Sequence, residues 1–292
     1  MQFSVFNSMA MRLFFLFFSL LPCFLQAQTV CTLESRERLE GILEDLSVLD
    51  MQDKSINDLN VIIGQMFLGT PYVEKTLELP GEEKLVINLT GLDCTTYLET
   101  VFSLSRLAQS GRLTIEDFEK ELEKIRYQKG KREGYPSRLH YFSDWIYQNQ
   151  EKDLIHNITK EIGGKPYENR PTFMSSNPNL YAQLANDAYV EELKKAEQRI
   201  GQRNYYFVPK EELKNLEHNI KPGDMIAITT TMKNLDIVHV GFAVEKNGRI
   251  HLMHASTGSM KVEISEKPLQ DYLMTNKSQS GIMVSRPLSA KP

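Results

Sequence analysis

The stretch that decides the fold is residues 237–256, IVHVGFAVEKNGRIHLMHAS. Two runs with strand-like composition, 237–244 and 249–256, flank Lys246-Asn247-Gly248. Asn-Gly is a strong signal for a two-residue β-hairpin turn, because both turn positions need a positive φ. With this turn Lys246 pairs with Arg249, and every other pair follows from that register.

The register selects a pair of histidines. His254 is predicted opposite Gly241 and diagonal to His239, whereas His251 pairs with Val244 on the apolar face and is the weaker candidate. The glycine leaves room for two imidazoles to approach each other, in a base-and-orienter arrangement. The two predicted faces consist of His239, Gly241, His254 and Ser256 on one side, and Val240, Phe242, Ile250 and Leu252 on the other.

Cys94 is the matching nucleophile. Asp93 is a good N-cap residue, and the apolar spacing predicts a helix from there to Ser110-Gly111. In the first turn, free N–H groups and the helix dipole favour a thiolate and can hold an oxyanion. Two alternatives remain: a buried cysteine without chemistry, or a zinc site with both histidines, which lacks a close-spaced ligand pair. The favoured mechanism requires no metal or other cofactor.

The chain's beginning predicts export. Arg12, an apolar run and Leu25-Gln26-Ala27 are typical of a signal peptide that is cleaved after Ala27. The apolar run is too short to span a bilayer, so stable membrane insertion is not expected. The alternative is a lipid anchor at Cys23. We expect a periplasmic protein, with residues 28–292 as a single domain.

The remaining pattern predicts an α+β fold, with helices at 34–68, at 93–110 and from Glu116 to Tyr127, and an antiparallel sheet at the end. Residues 130–145 are interpreted as a surface loop with aromatic anchors. The 292 residues carry 34 Lys plus Arg against 38 Asp plus Glu, a net charge of −4 without a basic patch, which argues against a nucleic-acid partner. Three scattered cysteines exclude a disulfide framework, and Cys31 and Cys94 are expected to be free.

Four motifs in this order resemble the NlpC-type papain-like cell-wall cysteine peptidases. They are Gly69-Thr70-Pro71-Tyr72, Asp93-Cys94-Thr95-Thr96, His239-Val240-Gly241 and His254-Ala255-Ser256. The resemblance implies a helix carrying the cysteine, a sheet carrying the histidines, and catalytic roles for Cys94, His239 and His254. It also implies that Tyr72 reaches the oxyanion region.

A closer resemblance, over residues 59–286, is to the amidase-like branch of that superfamily. It is carried further by Ile125-Arg126-Tyr127, by residues 137–145 (SRLHYFSDW), by Gly223-Asp224-Met225-Ile226 and by residues 235–241 (LDIVHVG). This branch implies an N-acetylmuramoyl-L-alanine amidase acting on soluble muropeptides.

The wide separation of Cys94 and His239 requires an insertion, at about residues 110–222. In it Arg138 could pair with a substrate carboxylate, and Tyr141 and Trp145 could stack on sugars. His140 and Asp236 complete the predicted substrate-binding residues. The alternative is that the aromatic residues are ordinary core and the arginine is a structural tie.

The sequence therefore leaves three candidate functions. The first is a monomeric, exported cysteine amidase that releases stem peptides from muropeptides. The second uses the same site on the γ-D-glutamyl bond within the stem peptide. The third is an inactive peptidoglycan-binding protein that keeps the fold.

Overall fold

The computed structural model describes residues 29–49, 51, 53–168 and 170–290. In these residues helices dominate the first half and an antiparallel sheet the second, so the α+β prediction is confirmed. The predicted signal peptide, with Cys23, lies outside the described residues.

The helices include those expected at 34–68, 93–110 and 116–127, each displaced by no more than a few residues. None of the helices in the described ranges is both long and apolar enough to cross a membrane. In chain order they are α1 (Leu33–Val48), α2 (Ile56–Gln65), α3 (Cys94–Ser110), α4 (Ile115–Arg126), α5 (Phe142–Glu151), α6 (Phe173–Ser176), α7 (Asp187–Gly201), α8 (Leu213–Leu216) and α9 (Leu269–Met274).

Most strands belong to one antiparallel sheet, in the order β4-β5-β10-β6-β7-β8-β9, with β3 also paired to β10. A short parallel pair, β1 with β2, lies apart from it. In chain order the strands are β1 (Thr29–Cys31), β2 (Leu85–Ile87), β3 (Ile155–Asn157), β4 (Lys165–Tyr167), β5 (Tyr205–Pro209), β6 (Met225–Thr230), β7 (Ile237–Lys246), β8 (Arg249–Ser256), β9 (Lys261–Ile264) and β10 (Gln279–Pro287).

The β7–β8 hairpin has the predicted register, with Lys246 paired to Arg249 and Val244 to His251. Asn247 and Gly248 both have positive φ, 54° and 71°, as a two-residue turn of this type requires. A side chain at Gly241 would meet β8, because its Cβ would lie 2.6 Å from the Met253 carbonyl oxygen. The turn chemistry therefore sets the register that brings the histidines together.

The predicted faces of the hairpin were wrong for Ile250 and Leu252. Directly paired residues of an antiparallel ladder share a face, and Leu252 pairs with Ala243, two residues from Gly241. Ile250 and Leu252 accordingly pack with Ala243 in the core on the histidine side of the sheet. Val240 and Phe242 pack in the other core, against the helices.

Helix α3 lies at the centre of the first half, and residues 96–108 are all buried. Its charged side chains are therefore paired inside the protein. Glu99 accepts hydrogen bonds from Arg126 at 2.7 Å and from the Trp145 indole at 3.1 Å. Because both partners come from the following segment, these contacts tie α4 and α5 to α3.

Residues 111–222 contribute α4 and α5 to the helical core, while α6 and α7 enclose a smaller core next to the cavity described below. The prediction of a surface loop over residues 130–145 was wrong for the second half of that range. Helix α5 begins at Phe142, and Tyr135 and Trp145 have no exposed surface. Much of this part of the chain is therefore packed into the protein rather than exposed as a surface loop.

Candidate active site

Cys94 is the first residue of α3, and a capping box fixes the start of that helix. The Asp93 carboxylate accepts from the Thr96 N–H at 2.7 Å, and the Asp93 N–H donates to the Thr96 hydroxyl at 2.9 Å. Gly111 ends the helix in the left-handed conformation, with φ 69°. The sulfur is thereby held at the positive end of a 17-residue helix.

Cys94 and His239 line the same cavity, of about 150 Å³. A β-bulge lies beside the histidine: Ile228 pairs with His239 but Thr229 pairs with Ile237, which leaves Val238 as the extra residue. Such a bulge turns successive side chains toward one site. The cavity walls are Cys94 and Thr95, residues 139–142, Phe173, Met174, Tyr181 and residues 235–240.

His254 lies behind His239. His239 Nε2 and His254 Nδ1 are 2.5 Å apart, and the two rings are nearly perpendicular, at 89°. This contact leaves Nδ1 as the second ring nitrogen of His239, available for proton transfer. His251 lies elsewhere, with its Nδ1 against the Ser265 carbonyl oxygen at 2.8 Å. The diagonal pairing of His239 and His254 expected from the hairpin is therefore present.

Burial keeps the nucleophile and the base neutral in the free protein. Burial, reinforced by Asp93, raises the pKa of the Cys94 thiol to about 12, although N–H groups of Val240 and Thr95 and the Thr95 side chain hydrogen-bond to the sulfur. Burial lowers the pKa of His239 to about 4. The expectation of a lowered cysteine pKa was wrong for the free site, because desolvation outweighs the helix start. Proton transfer from sulfur to imidazole must therefore accompany attack.

The pH dependence should reflect this burial. A pKa of about 4 leaves His239 neutral at pH 5, so kcat/KM should stay flat from pH 8 to 5 and fall below about pH 4. An unshifted histidine would cause the fall near its ordinary pKa of about 6.5. Initial rates across this range test the expectation, and a fall centred near pH 6.5 would contradict it.

Acid stability is the necessary control for that profile. Burial also lowers the pKa of His254, to about 3, below the value in an unfolded chain. The unfolded state then binds more protons below about pH 6.5, so stability is full above pH 6.5. It falls with pH down to about pH 4 for His239 and about pH 3 for His254, by at most about 1.4 kcal/mol per unit for each histidine. Circular dichroism at each assay pH separates unfolding from loss of the base.

Tyr72 lies beside Cys94 without lining the cavity. Its backbone pairs with Leu92 and its N–H donates to the Met260 carbonyl oxygen at 2.9 Å, which fixes the segment preceding α3. The side chain is half-buried against the helical core, and burial together with the proximity of Cys94 raises its pKa. The phenol therefore remains a neutral hydrogen-bond donor near the sulfur.

Three of the predicted substrate-binding residues line the cavity, namely His140, Tyr141 and Asp236. The Tyr141 hydroxyl donates to Glu197 at 2.7 Å, so it binds α7. The Asp236 carboxylate accepts from the N–H groups of Ser143 and Ile237, both at 2.8 Å. Asp236, just before β7, thereby pairs an N–H group in the first turn of α5. The polar atoms of these two residues are thus engaged in holding the walls.

His140 is the exception among the three. Its Nε2 lies 2.9 Å from the Tyr135 carbonyl oxygen, which can only accept, so Nε2 carries the proton of the neutral ring. Burial lowers the pKa of His140 to about 3, and Nδ1 is left as an unprotonated acceptor. Nδ1 of His140 is therefore suited to accept a hydrogen bond from a donor group of a substrate.

Arg138 and Trp145 do not line the cavity, so their predicted substrate contacts are corrected. Arg138 is buried, donates to the Leu77 carbonyl oxygen at 2.9 Å and is ion-paired with Glu78 and Glu83. Trp145 has no exposed surface and stacks on Phe142 at 4.7 Å between ring centroids. The arginine is a structural tie, and the tryptophan supports a cavity wall from behind.

The cavity also contains residues that the sequence reasoning missed, chiefly Phe173, Met174 and Tyr181. Their one sequence signal is large apolar side chains within a stretch rich in Pro, Ser and Asn. Cys31 and Cys94 are both free, as expected. In the described part of the chain, no three His, Cys, Asp or Glu side chains are placed to hold a metal ion.

The chain resembles one protein family and several solved structures. Residues 62–282 match the family described as AmiA-like, N-acetylmuramoyl-L-alanine amidase-like. Among solved structures, an N-acetylmuramoyl-L-alanine amidase from Bacteroides uniformis is 37% identical, with a TM-score of 0.76 over 80% of this chain and 98% of that one. A Bacteroides fragilis protein whose name proposes a xylanase is 34% identical, with a TM-score of 0.71 over 77% and 99%.

A third structure, protein LPG0564 from Legionella pneumophila, shares the fold at 24% identity, with a TM-score of 0.66 over 88% of this chain and 96% of that one. No curated protein gives a significant match. The family match spans more than two thirds of the chain and includes Cys94, His239 and His254. The chain therefore belongs to the N-acetylmuramoyl-L-alanine amidase-like family.

Proposed function

We propose that this protein is an exported cysteine amidase that hydrolyses the bond between N-acetylmuramic acid and L-alanine in peptidoglycan fragments. The observation that carries the proposal is the shared cavity of Cys94 and His239, with His254 hydrogen-bonded to Nε2 of His239. A nucleophile, a base and an orienter in this order are the parts that acyl transfer needs. Family membership supplies the class of bond.

The first half-reaction forms a thioester. As Cys94 Sγ attacks the lactyl carbonyl carbon, His239 Nδ1 takes the thiol proton. This transfer agrees with a thiol and an imidazole that are both neutral in the free protein. The oxyanion accepts from the Cys94 N–H at the start of α3, and the Tyr72 phenol must turn from its place beside Cys94 into the cavity to donate as well. His239 then passes its proton to the nitrogen of L-alanine as the C–N bond breaks.

The second half-reaction releases the sugar. A water molecule gives its proton to His239 and attacks the thioester carbonyl; the C–S bond breaks and the imidazolium returns the proton to the sulfur. The products are a muramic acid carboxylic acid and a stem peptide with a free amino terminus. Throughout, His254 fixes the orientation of His239.

The walls favour amide chemistry over glycoside hydrolysis. Glycosidases as a rule need two carboxyl groups flanking the bond. Among the described residues that line the cavity, Asp236 is the only acidic one, and both of its carboxylate oxygens accept backbone N–H groups. The xylanase name of the Bacteroides fragilis structure therefore finds no support in this site.

The products distinguish the amidase from the γ-D-glutamyl endopeptidase. For these assays the protein should be purified after export from a host cell. An intact mass that corresponds to residues 28–292 would support cleavage of the signal peptide after Ala27. After incubation with purified disaccharide-peptides, an amidase yields free disaccharide and the complete stem peptide by mass spectrometry. Disaccharide that still carries two amino acids would instead establish the endopeptidase.

A further inference from the structure

The second nitrogen of His254 is buried and without a hydrogen-bond partner in the described structure. His254 has no exposed surface, and its Nδ1 is engaged with His239, so Nε2 is the unsatisfied atom. A buried polar group without a hydrogen-bond partner is unfavourable, because it has lost its contact with water and gained no replacement. His254 Nε2 therefore needs a hydrogen-bond partner that can reach it.

Glu263 is the carboxylate closest to meeting that need. It lies on β9 as the pairing partner of His254 on β8, and its Oε1 is 4.0 Å from His254 Nε2. The side chain is 32% exposed, so it has room for the movement of about 1 Å that a hydrogen bond of ordinary length requires. The other groups facing His254 are His239 from β7 and the Tyr272 ring from α9, which lies edge-on at 5.5 Å.

The protons of the histidine pair can be arranged in two ways. If His239 Nε2 donates to His254 Nδ1, then His254 carries its own proton on Nε2, and His239 Nδ1 is free to accept from Cys94. If His254 Nδ1 donates instead, the proton of His239 sits on Nδ1, and the base is blocked. An acceptor at His254 Nε2 stabilises the first arrangement alone.

We propose that Glu263 is a positioning residue that accepts the Nε2 proton of His254 and so holds His239 in the tautomer that can receive the thiol proton. This inference rests on the proposed amidase function. The same carboxylate stabilises the positive charge that the pair gains when His239 takes the proton. The active set then extends from Cys94 through His239 and His254 to the edge of the sheet.

Kinetics give the first test. Glu263→Ala should lower kcat about 10- to 100-fold, the range found when the hydrogen-bond partner that orients a metal-ligating histidine is removed, with KM little changed. Glu263→Gln keeps an acceptor oxygen and should recover part of that loss. Glu266→Ala, at an exposed acidic residue just beyond β9, is the matched control and should keep wild-type kcat.

Nitrogen NMR of the histidine rings gives a second readout that does not depend on turnover. In the wild type His254 should be protonated on Nε2; in a folded Glu263→Ala variant that population should fall, and Glu263→Gln should restore part of it. An unchanged tautomer or unchanged kcat in Glu263→Ala would overturn the proposal. Absence of amidase activity in the wild type with the tautomer shift present would instead refute the proposed function alone.

Discussion

Replacing Cys94 with alanine should reduce kcat/KM for the muramoyl-alanine bond by about 10⁴-fold or more, the scale seen when a nucleophile is removed from a catalytic set that acts as a unit. The change removes one sulfur atom at the start of α3 and leaves the capping box between Asp93 and Thr96 intact. No other thiol lines the cavity in the described structure. Release of disaccharide under saturating and subsaturating substrate measures the effect.

Cys31→Ala is the matched control. Cys31 is the other free cysteine of the described chain, lies in β1 and is half-buried like Cys94. This variant should keep wild-type turnover, and both variants should keep the wild-type thermal transition within a few degrees. Turnover by Cys94→Ala within tenfold of the wild type would contradict a covalent cysteine mechanism.

Replacing Trp145 with alanine should lower the free energy of unfolding by about 3–5 kcal/mol, the usual cost of removing a large buried aromatic side chain. The indole has no exposed surface, stacks on Phe142 and donates to Glu99. Its loss would leave a cavity and remove one donor from a buried carboxylate. Urea unfolding followed by circular dichroism measures the change, which is a large part of a typical total of 5–15 kcal/mol.

Tyr181→Ala provides the contrast with Trp145. Tyr181 lines the cavity and is half-buried, so its loss should raise KM for disaccharide-peptides with a much smaller change in unfolding free energy. Trp145→Phe, which keeps an aromatic ring against Phe142, should cost less stability than Trp145→Ala. A Trp145→Ala protein of wild-type stability with a raised KM would instead restore the tryptophan to the substrate site.

Much of the fold was predictable because it depends on short-range patterns. Asn247-Gly248 determined the hairpin and its register, and Asp93 determined the start of α3. The short strands β3, β4, β5 and β9 were missed, since three to five residues carry little periodicity of their own. The assignment of Ile250 and Leu252 failed for a different reason, because paired residues of neighbouring strands share a face.

The candidate site was likewise predictable only where it depends on short-range patterns. The sequence by itself determined the start of α3 at Cys94 and the pairing of His239 with His254, because capping, turn chemistry and alternation act between near neighbours. Only the tertiary structure placed Cys94 and His239 on one cavity, because 145 positions separate them. The tertiary structure decided the fate of Arg138 and Trp145, whose partners Glu78 and Glu99 lie 60 and 46 positions away. Burial depends on such distant partners, so only the folded chain shows which polar side chains are already paired and which, like His254 Nε2, still lack a partner.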